Sequence, residues 1–272
     1  MIAVARLFTY PVKSCRGIEL CEAEVVERGI AHDREWLVVD SAGRFMTQRD
    51  WPSLARVTVS VLPGGLRIEA KGRPKLEVAT PPPSVRRREV TIWKDTCTSR
   101  SAGPEAAAWF SHLLGTDCEL VWMPPEEARQ VDPDVARPGD RVAFADGFPF
   151  LLVSQGSLDE LNCRLERPLR MDRFRPNIVV DGCAPHAEDD WAKLTIGGLA
   201  FSVVKPCARC VITTTDQRTG QRSQEPVRTL AKFRTRNVEV LFGQNLVHYG
   251  RGEIRVGDVC LIEPSLGGPE CR

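Results

Sequence analysis

Lys205-Pro206-Cys207-Ala208-Arg209-Cys210-Val211-Ile212-Thr213-Thr214-Thr215 carries the one closely spaced cysteine pair of the chain. A thioredoxin-like pair opens a helix, whose N-terminus lowers the thiol pKa. The run Val211 to Thr215 is β-branched and argues for a strand instead, since such side chains pack well on a pleated surface. A structural zinc site usually needs four ligands. Here a second cysteine pair is missing, and His32, His112, His186 and His248 show no partner spacing. Two readings stay open. One is a single reactive or metal-binding thiolate, with Lys205 and Arg209 favouring its charged form. The other is a pair of buried thiols acting as small hydrophobes.

Outward from that segment the chain reads as strands. Ile2 to Tyr10, Leu20 to Glu27 and Glu35 to Asp40 alternate with period two between turn-forming Gly, Pro and Asp, and Leu66 to Ala70 and Glu89 to Trp93 continue the pattern. Further on, Asn177 to Asp181, Leu194 to Val204, Val211 to Thr215, Val238 to Leu241 and Glu253 to Ile262 read the same way. Helix signals are few. Pro104 inside a start, Glu105 to Phe110, and Gly115 past the end predict one helix. A second is expected from Ser157, capped by its hydroxyl with Glu160 reaching back and Leu158, Leu161 and Leu165 on one face. A short third covers Pro226 to Phe233. The expected class is mainly β with a few helices (α+β) and barrel-like rather than doubly wound. Met123 to Asp140, with four prolines and no periodicity, is the linker candidate, giving a β-rich domain over 1–125 and a second domain over 126–272.

Charge excludes some partners. Lys and Arg number 37 against 36 Asp and Glu, so no global field favours nucleic acid or an anionic membrane. Met1 to Tyr10 lacks the features of a secretory signal, and no apolar run approaches the roughly 20 residues of a membrane span. A soluble cytoplasmic protein without a membrane anchor is expected, its ten cysteines reduced rather than paired.

Several polar segments stand beside predicted strands. Lys13-Ser14-Cys15 follows Tyr10-Pro11-Val12 where a turn is expected, Arg34 precedes Trp36 to Val39, and Arg173 and Arg175 precede Asn177. Taken singly, each is a solvated surface charge. Converging, they make a multi-donor pocket for a phosphorylated, electron-rich ligand.

The ordered set Tyr10-Pro11-Val12-Lys13-Ser14-Cys15, Asp33-Arg34-Glu35-Trp36-Leu37-Val38, Phe148-Pro149-Phe150-Leu151, Ser157 to Asn162, Arg173 to Val179, Cys207-Ala208-Arg209-Cys210 and Leu241-Phe242-Gly243-Gln244-Asn245 resembles the MOSC family. It is most similar to the branch of the mitochondrial amidoxime-reducing component and its bacterial relatives. The resemblance implies a MOSC N-terminal β-barrel domain joined to a β-barrel-like MOSC domain, with a molybdenum cofactor (molybdopterin) held at their junction. It places the metal and the catalysis on Cys210 and leaves Cys207 without a role. Cofactor contacts carried over by matching motif fall on Lys13, Ser14, Arg34, Gly147, Phe148, Arg175, Asn177, Ala208, Arg209 and Asn245. Of these, Gly147, Phe148 and Ala208 offer only backbone or packing contacts.

The implied activity is reduction of N-hydroxylated compounds such as hydroxylamines, amidoximes or N-hydroxylated bases. Some bacterial relatives carry a ferredoxin-like iron–sulfur domain and the mitochondrial ones an N-terminal anchor, and neither is read here. Cys260 and Cys271 alone follow the motif, too few for a four-cysteine cluster. Electrons are therefore expected from a separate ferredoxin-, flavodoxin- or cytochrome-type protein. The rival reading is a cofactor carrier or sulfur-transfer module resembling the C-terminal domain of molybdenum-cofactor sulfurase. That protein's pyridoxal-phosphate domain exceeds this chain's length, so pyridoxal phosphate binding is not supported. A non-catalytic binding protein with Cys210 merely buried is the third reading.

Overall fold

Buried and open side chains alternate along the short strands. Leu66 and Ile68 in Gly65–Glu69, Leu76 and Val78 in Leu76–Ala79, and Ala23 and Val25 in Glu22–Val26 are buried while their neighbours are not. Phe150–Ser154 is buried at every position, as expected of a strand covered on both faces. The computed structural model describes residues 1–264, mainly β structure with α-helices at Pro104–Leu114, Gln155–Cys163 and Val227–Leu230. Cys271 lies outside the described residues.

The largest sheet runs in the order Ile18–Leu20, Ala3–Thr9, Ile178–Asp181, Phe150–Ser154, Glu239–Tyr249, Leu199–Ala208, Trp191–Ile196, Cys260–Pro264, with Thr235–Arg236 pairing beside Glu239–Tyr249. Every pairing in it is antiparallel except Phe150–Ser154 with Ile178–Asp181. Parallel neighbours need a crossover, and Gln155–Cys163 supplies it. The sheet curls, because Ala3 pairs with Asp181 on one side and bridges Val259 on the other. One bridge rather than a ladder joins these ends. Phe150, Leu152, Ile178 and Phe201 fill one face, while on the other Leu151, Val153 and Phe174 pack with Leu158 and Leu161 of the crossover helix.

A second sheet orders Trp36–Asp40, Cys118–Trp122, Asp95–Ser101 and Arg87–Ile92. Thr58–Leu62, Gly65–Glu69 and Leu76–Ala79 form a meander beside it. The helix Pro104–Leu114 seals their shared core with Ala106, Trp109 and Phe110, and Gly115 ends it at φ 72°. Only glycine takes that left-handed position without strain.

Several expectations are corrected. Val211 to Thr215 is no strand: Val211–Thr214 is a 3-10 turn. Its threonines turn their hydroxyls onto the backbone, Thr213 Oγ1 donating to Cys210 O at 2.9 Å and Thr214 Oγ1 to Val211 O at 2.7 Å. Such local bonds compete with a ladder. Leu194 to Val204 is two strands broken at Gly197-Gly198, and Glu253 to Ile262 breaks around Gly257. Val238 to Leu241 is only the start of Glu239–Tyr249. The expected linker Met123 to Asp140 carries local structure without its role as a boundary being decided: Val131 and Arg129 are buried and Arg129–Gln130 pairs with Arg141–Val142.

The crossover helix begins before Ser157, at Gln155, with Ser154 as its cap. Ser157 Oγ instead donates to the buried Glu188 at 2.8 Å. Glu160 pairs with Arg164 and His186, and Leu165 falls beyond the helix end. Ser154→Ala is therefore expected to cost about 1 kcal/mol through the lost cap, read as a lower urea midpoint at unchanged m-value.

Candidate functional site

The strand Leu199–Ala208 delivers the cysteine pair, and its pairing with Glu239–Tyr249 slips at Pro206/Ala208. Pro206 brings no N–H to the ladder. Next to Gln244, which pairs with Pro206, Gly243 holds φ 78°, and a Cβ there would lie 2.7 Å from Leu152 O, so this position of Leu241 to Asn245 admits only glycine. The irregularity re-aims the chain, and Cys207, Ala208, Arg209, Cys210 and Asn245 line a single cavity. Lys13, Ser14, Arg34, Gly147, Phe148, Arg175 and Asn177 line the same cavity. All the residues carried over as cofactor contacts thus come together, although they are spread from position 13 to 245.

The floor is charged. Arg34 and Arg175 sit at φ 50° and 57°, and each guanidinium carbon lies 4.3 Å from the centroid of the buried Tyr10 ring. Arg34 Nη1 donates to Asp33 Oδ2 at 2.6 Å and to Asn177 Oδ1 at 3.0 Å, and Nη2 to Arg175 O at 3.2 Å. Arg175 Nη1 donates to Cys15 O at 2.7 Å, and burial draws its pKa down to about 10. Asn177 is occupied with the fold as well, its Nδ2 donating to Phe8 O and its Oδ1 accepting from Leu151 N. It positions Arg34 and ties two strands together.

Lys13 is buried, and its Nζ donates to Phe144 O at 2.7 Å and Asp146 Oδ1 at 2.5 Å. Burial pulls its pKa down to about 8 against the opposing charge of Asp146. Lys13 and Arg49 hold the half-exposed Asp146 carboxyl well below the usual range. Ser14, at φ 68°, accepts at Oγ from Gln48 N and at its carbonyl from Gln48 Nε2. Gly147 has no protein atom within 4 Å of where a Cβ would stand. Packing therefore does not require glycine there, and the space belongs to the cavity.

Two residues escaped the sequence. Arg49 Nη2 reaches Asp146 Oδ2 at 3.3 Å and Cys210 Sγ at 3.6 Å. The cation at the Cys210 sulfur is therefore Arg49, not the neighbours Lys205 and Arg209. Arg209 Nη1 donates to Cys207 Sγ at 2.9 Å, its Nη2 to Phe174 O at 2.7 Å, and Lys205 is exposed. Arg173 also leaves the cavity, donating to Thr214 O and Asp216 and so bracing the turn after Cys210. Arg49 and Asp146 lie 97 residues apart in polar loops without periodic context, and no spacing signal marks them.

Five cations face one carboxylate across this cavity: Lys13, Arg34, Arg49, Arg175 and Arg209 against Asp146. Arg49 Nη1 and Arg209 Nε are buried without a hydrogen-bond partner among the described residues. Orphaned buried donors are costly, and the surplus of positive charge suits an anionic, acceptor-rich ligand. Among the described residues no three His, Cys, Asp or Glu side chains gather as a metal site. A metal here must bring most of its own ligands. No helix among the described residues is long and apolar enough to cross a membrane.

The buried Asp33 depends on Arg34, since burial drives its carboxyl upward while Arg34 and Tyr10 N–H hold the ionised form. Arg34→Met is expected to destabilise by about 3–5 kcal/mol. Adding Asp33→Asn should recover part of that loss. A urea-denaturation double-mutant cycle checks this, and strictly additive losses would contradict the pairing.

The family model described as the MOSC N-terminal beta barrel domain matches residues 1–117, and that of the MOSC domain matches residues 139–260. The chain is 36% identical over 274 residues to mitochondrial amidoxime-reducing component 1 of Mus musculus, spanning 94% of this chain and 80% of that protein. Its identity to the Homo sapiens component 1 is 35%, spanning 94% and 81%. Molybdenum cofactor sulfurase of Oryza sativa subsp. japonica is 31% identical over 89% of this chain, but only 32% of that longer protein is covered. The chain belongs to the MOSC family, beside the mitochondrial amidoxime-reducing components, with a MOSC N-terminal domain ahead of its MOSC domain and a function tied to the molybdenum cofactor.

Proposed function

We propose that the protein is a molybdenum-cofactor-dependent reductase of N-hydroxylated compounds, acting in the cytoplasm and re-reduced by a separate electron-donor protein. The observation that carries this reading is the Cys210 sulfur, half-buried and open to a cavity in which cations outnumber carboxylates. The relatives named as amidoxime-reducing components point to the substrate class.

The residues fit the group. Lys13, Arg34, Arg175 and Arg209 meet its phosphate and pterin acceptors with charge-assisted hydrogen bonds. Ser14 and Asn245 add polar contacts, while Gly147, Phe148 and Ala208 give backbone and packing surface. Cys210 offers the one protein sulfur. When bound, the cofactor supplies the two-electron redox chemistry. The protein's own part is positional. Asp146 holds Lys13 and Arg49, Arg49 fixes the direction of the Cys210 sulfur, and Asn177 holds Arg34. Such outer partners tune a metal site through the ligands they orient.

A sulfur-transfer or carrier role is the second reading, favoured by the match to molybdenum cofactor sulfurase. Turnover of benzamidoxime, measured against sulfuration of a cofactor-dependent enzyme, separates the two.

Cofactor-replete expression is expected to yield molybdenum and pterin in near-equimolar amount. Cys210→Ser should stay folded and lose more activity than the roughly 10–100-fold typical of an outer partner. Absence of both molybdenum and pterin from the parent, or an active Cys210→Ser, would overturn the proposal. Gly147→Leu projects into the cavity, so stability should change by no more than about 0.5 kcal/mol while pterin content collapses. Full pterin retention would remove Gly147 from the site.

A further inference from the structure

The turn Trp93-Lys94 joins the strands Arg87–Ile92 and Asp95–Ser101, with Ile92 paired to Asp95. Trp93 has φ 55° and Lys94 has no positive φ. Two-residue hairpins of that kind favour glycine at the first turn position. A bulky residue there is a backbone outlier, and strain of this sort gathers at ligand clamps.

The ring does not repay the strain by filling a core. Trp93 is 51% exposed and belongs to none of the hydrophobic clusters. Trp93 does not itself line the cavity, but Arg49, which lies over its ring, does. Arg49 Cζ lies 4.6 Å from its centroid, and the Phe45 ring meets it edge-on at 5.0 Å. The same guanidinium donates to Cys210 Sγ and Asp146. A single side chain thus separates an exposed indole from the sulfur that carries the proposed chemistry.

We propose that Trp93, braced by Phe45 and seated on Arg49, is a specificity-determining residue that stacks on the planar, conjugated body of an N-hydroxylated substrate. The proposal rests on the reductase reading and narrows its substrates. An indole face favours offset stacking with a flat conjugated group. Hydroxylamine itself has no such group and gains nothing from the ring.

The test uses the cofactor-loaded protein, its Trp93→Gly and Trp93→Phe variants, and benzamidoxime and hydroxylamine as substrates. Glycine suits the turn, so Trp93→Gly should fold with an unchanged or higher Tm. Its ratio of kcat/KM for benzamidoxime over hydroxylamine should fall about tenfold, through KM rather than kcat, with Trp93→Phe recovering most of the ratio. Without an electron donor no turnover occurs, and calorimetry should show the same loss in benzamidoxime Kd. An unchanged ratio and Kd, or equal losses on both substrates, would overturn the proposal. Trp93-dependent benzamidoxime binding by a parent that reduces neither substrate would support the stacking role and sink the reductase reading.

Discussion

Two guanidiniums share one buried tyrosine. Arg34 and Arg175 lie at equal distance over the Tyr10 ring, and the ring is fixed in turn by its hydroxyl donating to Pro176 O at 2.9 Å. Like charges do not gather in a protein interior unless something opposes them. Here the opposition comes from the Tyr10 π face, the Asp33 carboxylate, and the carbonyls of Cys15 and Arg175. Cation–π attraction strengthens as water is excluded. Both arginines also sit in the left-handed backbone region, where L-residues stay only under constraint. The polar floor of the cavity therefore depends on Tyr10.

From that floor the rest of the site follows by geometry. The strand bearing Tyr10's upstream neighbours pairs directly with Ile178–Asp181, so the Lys13 turn and the Arg175 turn meet at one end of the sheet. The slipped pairing at Pro206 brings the cysteine pair to the same end. Charge neutrality is left incomplete there. The excess of cations constitutes a standing cost, which the proposed anionic cofactor would offset on binding. On the proposed reading the protein would need to contribute only one thiol, because such a cofactor brings its own sulfur.

How much of this could be read from residues varies by element. Period-two burial made Gly65–Glu69 and Glu22–Val26 legible, and the Pro104 start and Gly115 stop framed a helix whose boundaries match. The run Val211 to Thr215 misled because threonine is both β-branched and a local hydrogen-bond donor, and in this turn the second property wins. Ser157 misled because Ser154, three residues earlier, caps equally well and pairing requirements in Phe150–Ser154 end there. The motif segments Tyr10 to Cys15, Asp33 to Val38 and Cys207 to Cys210 name residues that the fold gathers round one cavity. Arg49 stands 161 residues from the sulfur it touches. Only tertiary structure brings such a pair together, and no periodicity or cap announces it.

The most direct measurement is molybdenum-edge X-ray absorption on the cofactor-loaded protein and on Cys210→Ser. One more sulfur neighbour is expected at the metal in the parent than in the variant. Equal sulfur counts in the two would contradict it, because the cations would then surround a metal that Cys210 does not hold.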